Sequence, residues 1–133
     1  MDPYRMSGSG KHYVAVVDDD ESVGRSLARL LCSADFDPVT YLSAEVFLED
    51  TMRPRFGCIV LDFQLQGISG LDLARRLAAI NDRTPILLLT GRDEPTDRAA
   101  AQAAGCAGYF RKTDIGSEIL DWIRDAVRCP VID

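Results

Sequence analysis

Short apolar runs alternate five times with longer stretches of helical spacing along this chain. The apolar runs cover residues 12–17, 37–41, 57–61, 85–89 and 107–110, and the helical stretches cover 21–34, 43–50, 69–80, 94–104 and 115–127. Runs that are apolar at every position suit a parallel sheet that helices cover on both faces. Because crossovers between parallel strands are right-handed, this order predicts a doubly wound α/β sandwich.

The length of 133 residues fits one domain. We expect residues 1–10, which are polar and rich in Gly and Ser, to form a flexible arm or a cloning remnant. Residues 11–129 are expected to form the domain, and residues 130–133 a C-terminal tail or the start of a linker. The stretch from Thr40 to Ser43 and the pair Thr113–Asp114 are expected to cap the helices that follow them.

Composition narrows the class of protein. No apolar run is long enough to span a membrane and no signal-peptide core is present, so we expect a cytoplasmic location. The net charge of −6 comes without a basic stripe, which argues against direct nucleic-acid binding. The lone His12 and scattered thiols argue against zinc. We expect buried free thiols at the four cysteines, Cys32, Cys58, Cys106 and Cys129.

Polar residues follow four of the predicted strands. Asp18 and Asp19 follow the first strand, Asp62 follows the third, Thr90 follows the fourth and Lys112 follows the fifth. In doubly wound sheets, ligands bind outside the carboxyl ends of the strands, so these side chains are expected to meet at one edge. Lys112 is also the one lysine besides Lys11, which directly follows the N-terminal arm, whereas thirteen arginines occur in the chain. That bias favours a site that needs a compact point charge.

Four segments resemble the receiver domains of bacterial two-component response regulators: "VVDDDES", "IVLDFQLQGISGLDL", "PILLLTGRDEP" and "GYFRKTD". The resemblance covers roughly residues 12–128. It implies a flavodoxin-like fold with a five-stranded parallel sheet in the order 2-1-3-4-5. It also implies a signalling protein that accepts a phosphoryl group from a sensor histidine kinase, and not an enzyme beyond its own phosphotransfer and dephosphorylation.

The resemblance implies roles for individual residues. Asp62 matches the phosphoacceptor, Asp19 a direct ligand of Mg²⁺, and Asp18 a ligand through water. The backbone carbonyl of Gln64 matches the third protein ligand of the ion. Mg²⁺ prefers oxygen ligands and a phosphoryl group approaching clustered carboxylates needs neutralisation, so the implied ion suits the chemistry.

Further residues match the switch and the control of dephosphorylation. Thr90 matches the switch hydroxyl, Lys112 the phosphate-binding lysine and Tyr109 the switch aromatic, while Gly91 leaves the approach to phosphorus open. Gln64 and Arg92 match positions that tune hydrolysis of the phosphoaspartate. We expect Arg92 to shield the phosphate or to pair with Asp93 or Glu94.

Two positions depart from the receiver pattern. Thr113 follows Lys112 where receivers usually have proline, and we expect a trans peptide there because a cis bond before threonine costs about 3 kcal/mol. Gln66 stands where the family usually has proline, which is expected to loosen the loop after the phosphoacceptor. Gly67 and Gly70 are expected to preserve the turning of that loop.

Alternatives remain open at this point. A receiver-shaped interaction module without phosphate is one, and a haloacid-dehalogenase-type phosphatase with Asp18 as nucleophile and Asp20 as acid/base is another. The chain also resembles receivers fused to DNA-binding domains of the nitrogen-fixation-regulator type. A DNA-binding or other output domain missing from this chain is therefore an expected partner, as is a phosphorylation-dependent homodimer through the face formed by helix 4, strand 5 and helix 5.

Overall fold

The computed structural model describes residues 13–92 and 94–128. The strands are β1 (Tyr13–Val17), β2 (Asp37–Tyr41), β3 (Cys58–Asp62), β4 (Ile86–Thr90) and β5 (Gly108–Arg111). The helices are α1 (Glu21–Ser33), α2 (Ala44–Glu49), α3 (Gly70–Ala79), α4 (Pro95–Ala103) and α5 (Ser117–Arg128), with a 3-10 turn at Lys112–Asp114. The expected arm at 1–10 and tail at 130–133 lie outside the described residues.

The five strands form one parallel sheet in the order β2-β1-β3-β4-β5. β1 pairs with β2 and β3, so that Val17 lies opposite Tyr41 on one side and Leu61 on the other. The register of β3 with β4 sets Asp62 opposite Leu89. The order confirms the flavodoxin-like α/β fold, and the reversal of strand order between β1 and β3 creates the crevice at the carboxyl edge.

The three central strands β1, β3 and β4 are buried on both faces, as continuous apolar runs require, whereas the edge strands β2 and β5 are partly exposed. Alternate side chains of β1 enter two separate apolar layers. Val14 and Val16 pack in the layer covered by α1 and α5, whose buried anchors are Leu27, Leu31, Ile119 and Ile123. Ala15 and Val17 enter the layer covered by α2, α3 and α4, which includes Phe47, Leu73, Leu77 and Ala101. Burying one such large side chain contributes about 2 kcal/mol, so these layers hold the sheet edge in place.

One of the two expected helix caps is confirmed, and the other is wrong. The Ser43 hydroxyl accepts a hydrogen bond from the backbone N–H of Val46 at 3.0 Å, as expected for α2. The expected cap at Thr113–Asp114 is wrong, because these residues belong to a 3-10 turn and α5 begins only at Ser117. Ile115 packs against the α1/α5 layer between the turn and the helix.

Of the three cysteines that the structure describes, one fits the expectation of a buried thiol. Cys58 is buried in β3, Cys106 is half-buried, and Cys32 is exposed, while Cys129 lies outside the described residues. Leu31 faces the core from α1, and the next residue of a helix lies about 100° further around the axis, which turns Cys32 toward solvent. Within the described part of the chain, every helix is too short or too polar to cross a membrane.

Candidate functional site

The carboxyl ends of β1 and β3 deliver two buried carboxylates to one edge of the sheet. Asp18 directly follows β1, and its backbone N–H donates to the carbonyl of Tyr41 at 3.0 Å. Asp62 ends β3. Each of the two aspartates is only 3% exposed. Buried carboxylates are costly without compensation, so this edge requires positive charge.

Lys112 supplies positive charge between the two carboxylates. Its Nζ lies 3.2 Å from Oδ2 of Asp18 and 3.2 Å from Oδ2 of Asp62. Burial lowers the pKa of the Lys112 ammonium, but the charges of Asp62 and Asp18 outweigh burial and raise the pKa above 10.5. The lysine therefore stays protonated at neutral pH and offsets one of the two negative charges.

The carboxyl group of Asp62 is the most perturbed acid of the site. Burial and, after it, the charge of Asp18 raise its pKa to about 6. The Gln64 backbone N–H, which donates to Asp62 Oδ1 at 3.1 Å, and the ammonium of Lys112 act in the opposite direction. A carboxylate of this kind is ionised at neutral pH yet poorly neutralised, which suits a group that receives a cation or attacks an electrophile.

Asp19 completes a cluster able to hold a cation. Carboxylate oxygens of Asp18, Asp19 and Asp62 lie within 4.8 Å of one another. Asp19 is exposed while the other two are buried, so the cluster opens to solvent on one side. Three carboxylates with an open side fit a hard divalent cation that keeps some of its water ligands.

Asp20 does not join the other two aspartates of the run. Its carboxylate caps α1, accepting hydrogen bonds from the backbone N–H of Ser22 at 2.9 Å and from the Ser22 hydroxyl at 2.7 Å. These bonds lower the pKa of Asp20. A carboxyl group held ionised as a helix cap is unsuited to acid/base catalysis, which argues against the phosphatase hypothesis.

The loop after Asp62 departs from the expectation for its glycines. Gly67 has a φ of +75°, so it turns the chain as predicted. Gly70, by contrast, begins α3, and a Cβ there would lie 2.1 Å from the carbonyl oxygen of Asp62. Gly70 is needed because α3 approaches the backbone closely, not because the chain turns. Gln64, two residues after Asp62 at the start of this loop, is exposed.

The Thr90 side chain lies fully buried at the end of β4. Its hydroxyl donates to the carbonyl of Arg92 and accepts from the Arg92 N–H, the second bond measuring 3.2 Å. Gly91 is exposed, and a Cβ there would meet no atom within 4 Å, so the space beside it is open.

The Arg92 side chain turns toward α4. Its Nε donates to Oδ2 of Asp97 at 3.1 Å, and a second guanidinium nitrogen lies 3.8 Å from the Glu94 carboxylate. Pairing with Glu94 was expected, whereas Asp93 lies outside the described residues. The ion pair between Arg92 and Asp97 was not predicted from the sequence. Asp97 is 9% exposed and lies in the first turn of α4, where an acidic residue is favourable.

Tyr109 points into the protein from β5. Its ring packs edge-on against Phe63, with the centroids 6.4 Å apart, and the Arg98 guanidinium lies 4.6 Å above the ring centre. The hydroxyl oxygen is buried. The aromatic ring thus joins β5 to the loop after Asp62 and to α4.

The peptide between Lys112 and Thr113 is trans, as expected from the absence of proline. The chain enters its 3-10 turn at Lys112, and the ammonium still reaches both carboxylates. A proline after the lysine is therefore unnecessary for assembling this site.

Comparison with known proteins identifies relatives of this chain. Residues 14–124 match the family model for the response regulator receiver domain. The chain is 37% identical to Nodulation protein W of Bradyrhizobium diazoefficiens over 113 residues, covering 85% of this chain and 50% of that protein. It is 30% identical to Transcriptional regulatory protein FixJ of the same organism over 118 residues, covering 89% of this chain and 58% of that protein. The chain spans about half the length of the curated relatives it matches.

Solved structures give the same result for the fold. The crystal structure of FixJ-N has a TM-score of 0.81 and 30% identity, covering 91% of this chain and 97% of that one. Chemotaxis protein CheY4 of Vibrio cholerae has a TM-score of 0.77 and 23% identity, covering 86% of this chain and 97% of that one. With the family match, the sheet order and the acidic edge, these likenesses show that the chain belongs to the response regulator receiver domain family of two-component signalling.

Proposed function

We propose that Asp62 accepts a phosphoryl group from a sensor histidine kinase, with Mg²⁺ held by Asp18, Asp19, Asp62 and the Gln64 carbonyl. The observation that carries the proposal is the position of Lys112, whose ammonium contacts Asp18 and Asp62 at 3.2 Å each. One positive charge faces three carboxylates, which leaves room for a divalent cation. Bound Mg²⁺ would neutralise the carboxylates and the incoming phosphoryl oxygens.

In the proposed transfer, an ionised oxygen of Asp62 attacks phosphorus. A P–O bond forms, the P–N bond to the kinase histidine breaks, and the imidazole leaves with that electron pair. A pKa of about 6 means that Asp62 is mostly ionised at neutral pH and therefore available as a nucleophile. Lys112 then exchanges its contact with Asp62 for the phosphoryl oxygens, while the open side of Gly91 admits the group.

The proposed switch starts at Thr90. Its hydroxyl leaves the Arg92 carbonyl to contact the phosphoryl group, which frees the start of α4 to move. Ala101 is the one apolar residue that α4 itself buries, so little apolar contact opposes that movement. Tyr109, which packs against Phe63, then changes its position on the α4–β5–α5 face.

Several finer assignments belong to the same proposal. Gln64 and Arg92 tune hydrolysis of the phosphoaspartate, since both follow site residues by two positions. Residues 11–129 form the receiver, between an arm at 1–10 and a tail or linker at 130–133. The receiver acts in the cytoplasm on a DNA-binding or other output domain, with a phosphorylation-dependent homodimer as its active form. FixJ, a transcriptional regulatory protein of greater length, supports the output domain.

Intact mass after incubation with acetyl phosphate tests this function. The wild type is expected to gain one phosphoryl group with Mg²⁺ and none with EDTA, because the ion offsets the carboxylate charge. Asp62→Asn is expected to gain none. Asp121→Asn is the matched control, since Asp121 carries the same charge on an exposed part of α5. A wild type that binds Mg²⁺ but gains no phosphate would instead support the phosphate-independent interaction module.

A further inference from the structure

The loop between β3 and α3 receives a long-range contact from α2. Oε2 of Glu45 accepts a hydrogen bond from the backbone N–H of Ile68 at 3.0 Å, across 23 residues of sequence. The other carboxylate oxygen, Oε1, is buried. Glu45 therefore turns its carboxylate inward, onto a backbone donor of the loop that follows Asp62.

Gly67 makes room for this carboxylate. A Cβ at Gly67 would lie 2.3 Å from Oε2 of Glu45 and 3.2 Å from its Cδ. The φ of +75° at the same residue also disfavours a side chain. The geometry of the loop and the position of the Glu45 carboxylate are therefore matched to each other.

The contact has the character of a charge-assisted hydrogen bond. The hydrogen bond from Ile68 lowers the pKa of Glu45, and a backbone bond within Glu45 and the charge of Arg76 act in the same direction. Glu45 is therefore ionised at neutral pH. An ionised acceptor makes a hydrogen bond stronger than a neutral one.

The loop is also held at its two ends and by Leu65, which is 8% exposed and packs in the layer covered by α2, α3 and α4. At the start, the Gln64 N–H donates to Asp62 Oδ1 at 3.1 Å. At the end, the Ser69 hydroxyl accepts from the Asp72 N–H at 3.0 Å and caps α3. Between these points Gln66 replaces the proline typical of the family, so the chain itself is not stiffened there.

We propose that Glu45 is a positioning residue, which holds the β3–α3 loop so that the Gln64 carbonyl is directed toward the cation. This inference rests on the proposed function, because it assumes that Mg²⁺ binds at Asp18, Asp19 and Asp62. Glu45 itself does not contact the ion in this account. It acts through the Ile68 N–H and the shape of the loop.

Three variants of Glu45 separate the effect of side-chain length from the effect of the carboxylate charge. Glu45→Gln keeps an acceptor oxygen at the same reach but removes the charge. Glu45→Asp keeps the charge but withdraws the oxygen by one methylene, and Glu45→Ala removes both. Glu49→Ala is the matched control, because Glu49 is an exposed acid at the end of the same helix.

Two measurements report on the loop and on the ion. Amide hydrogen exchange of Ile68 is followed by NMR in metal-free protein, and Mg²⁺ affinity is measured by titration calorimetry. We expect Glu45→Ala and Glu45→Asp to expose the Ile68 amide and to weaken Mg²⁺ binding about tenfold, as loss of an outer contact does at other metal sites. Glu45→Gln, which keeps an acceptor at the same reach but loses the charge, is expected to lose less than Glu45→Ala in both measurements. Glu49→Ala is expected to stay close to the wild type in both.

The outcomes distinguish this inference from the function it rests on. Unchanged Mg²⁺ affinity in Glu45→Asp, with a wild type that binds the ion, would overturn the positioning role alone. A loss in Glu45→Gln as large as that in Glu45→Ala would also overturn it, since the effect would then follow the charge of Glu45 alone and not the reach of its side chain. A wild type that binds no Mg²⁺ would overturn the proposed function and the inference together, although the Ile68 amide would still report the contact.

Discussion

Replacing Asp62, the proposed phosphoacceptor, should stabilise the metal-free receiver. Asp62 is 3% exposed and lies beside Asp18, so its ionised form is unfavourable in the folded protein. The Asp62→Asn variant removes that charge with little change of shape. We therefore expect the variant to have a larger free energy of unfolding than the wild type at neutral pH without divalent cations.

The size of the effect follows from the pKa of Asp62. Folding raises that pKa from 3.8 to about 6, so the folded protein binds the proton more tightly than the unfolded chain does. The resulting stability is fully present below pH 3.8 and is lost as the pH rises through about 6. With about 1.4 kcal/mol for each pKa unit, the loss approaches 3 kcal/mol at pH 7.5 and is about half of that at pH 5.

Urea unfolding in EDTA measures this difference. At pH 7.5 we expect Asp62→Asn to exceed the wild type by about 1–3 kcal/mol, with a smaller gap at pH 5. The control Asp121→Asn, whose side chain is 73% exposed, should change stability by less than about 0.5 kcal/mol. Saturating Mg²⁺ should narrow the gap by binding the folded wild type. A variant no more stable than the wild type at pH 7.5 would refute the reasoning.

Three further substitutions probe the architecture of the site. Gly70→Ala should cost about 2 kcal/mol in urea unfolding and reduce phosphorylation by acetyl phosphate, because its Cβ would lie 2.1 Å from the Asp62 carbonyl oxygen; unchanged stability would contradict this contact. Asp20→Ala should cost about 1 kcal/mol through loss of the α1 cap but leave the phosphorylation yield unchanged, and a lost yield would mean that Asp20 serves the site. Lys112→Met should raise the pKa of Asp62 further above about 6 in an NMR titration, whereas a fall would contradict their ion pair.

Much of the fold was predictable because a strand that is buried on both faces is apolar at every position, and such runs are visible in the sequence. The runs at 57–61 and 85–89 identify β3 and β4, although both strands lie one residue further along the chain. The shift has a physical cause, since Asp62 and Thr90 are polar residues that still pair in the sheet. The apolar pattern ends one residue before the hydrogen-bonded ladder does.

The candidate site was predictable in its members but not in its contacts. The positions of Asp18, Asp62 and Lys112 at the ends of predicted parallel strands were enough to predict that they lie at one edge of the sheet. The local sequence does not distinguish Asp20 from Asp18 and Asp19. Only the start of α1 assigns Asp20 its role, because the first N–H groups of the helix need a cap. The contact between Glu45 and Ile68 joins residues 23 positions apart, so no short-range pattern predicts it.

Mapping the phosphorylated residue tests the central claim most directly. After reaction with acetyl phosphate and Mg²⁺, borohydride reduces an aspartyl phosphate to homoserine, which peptide mass spectrometry locates. The account predicts homoserine at position 62, in the wild type and in Asp121→Asn alike. Homoserine at position 18 would contradict the account, because the nucleophile would then lie on β1's acidic run and Asp62 would have only a supporting role.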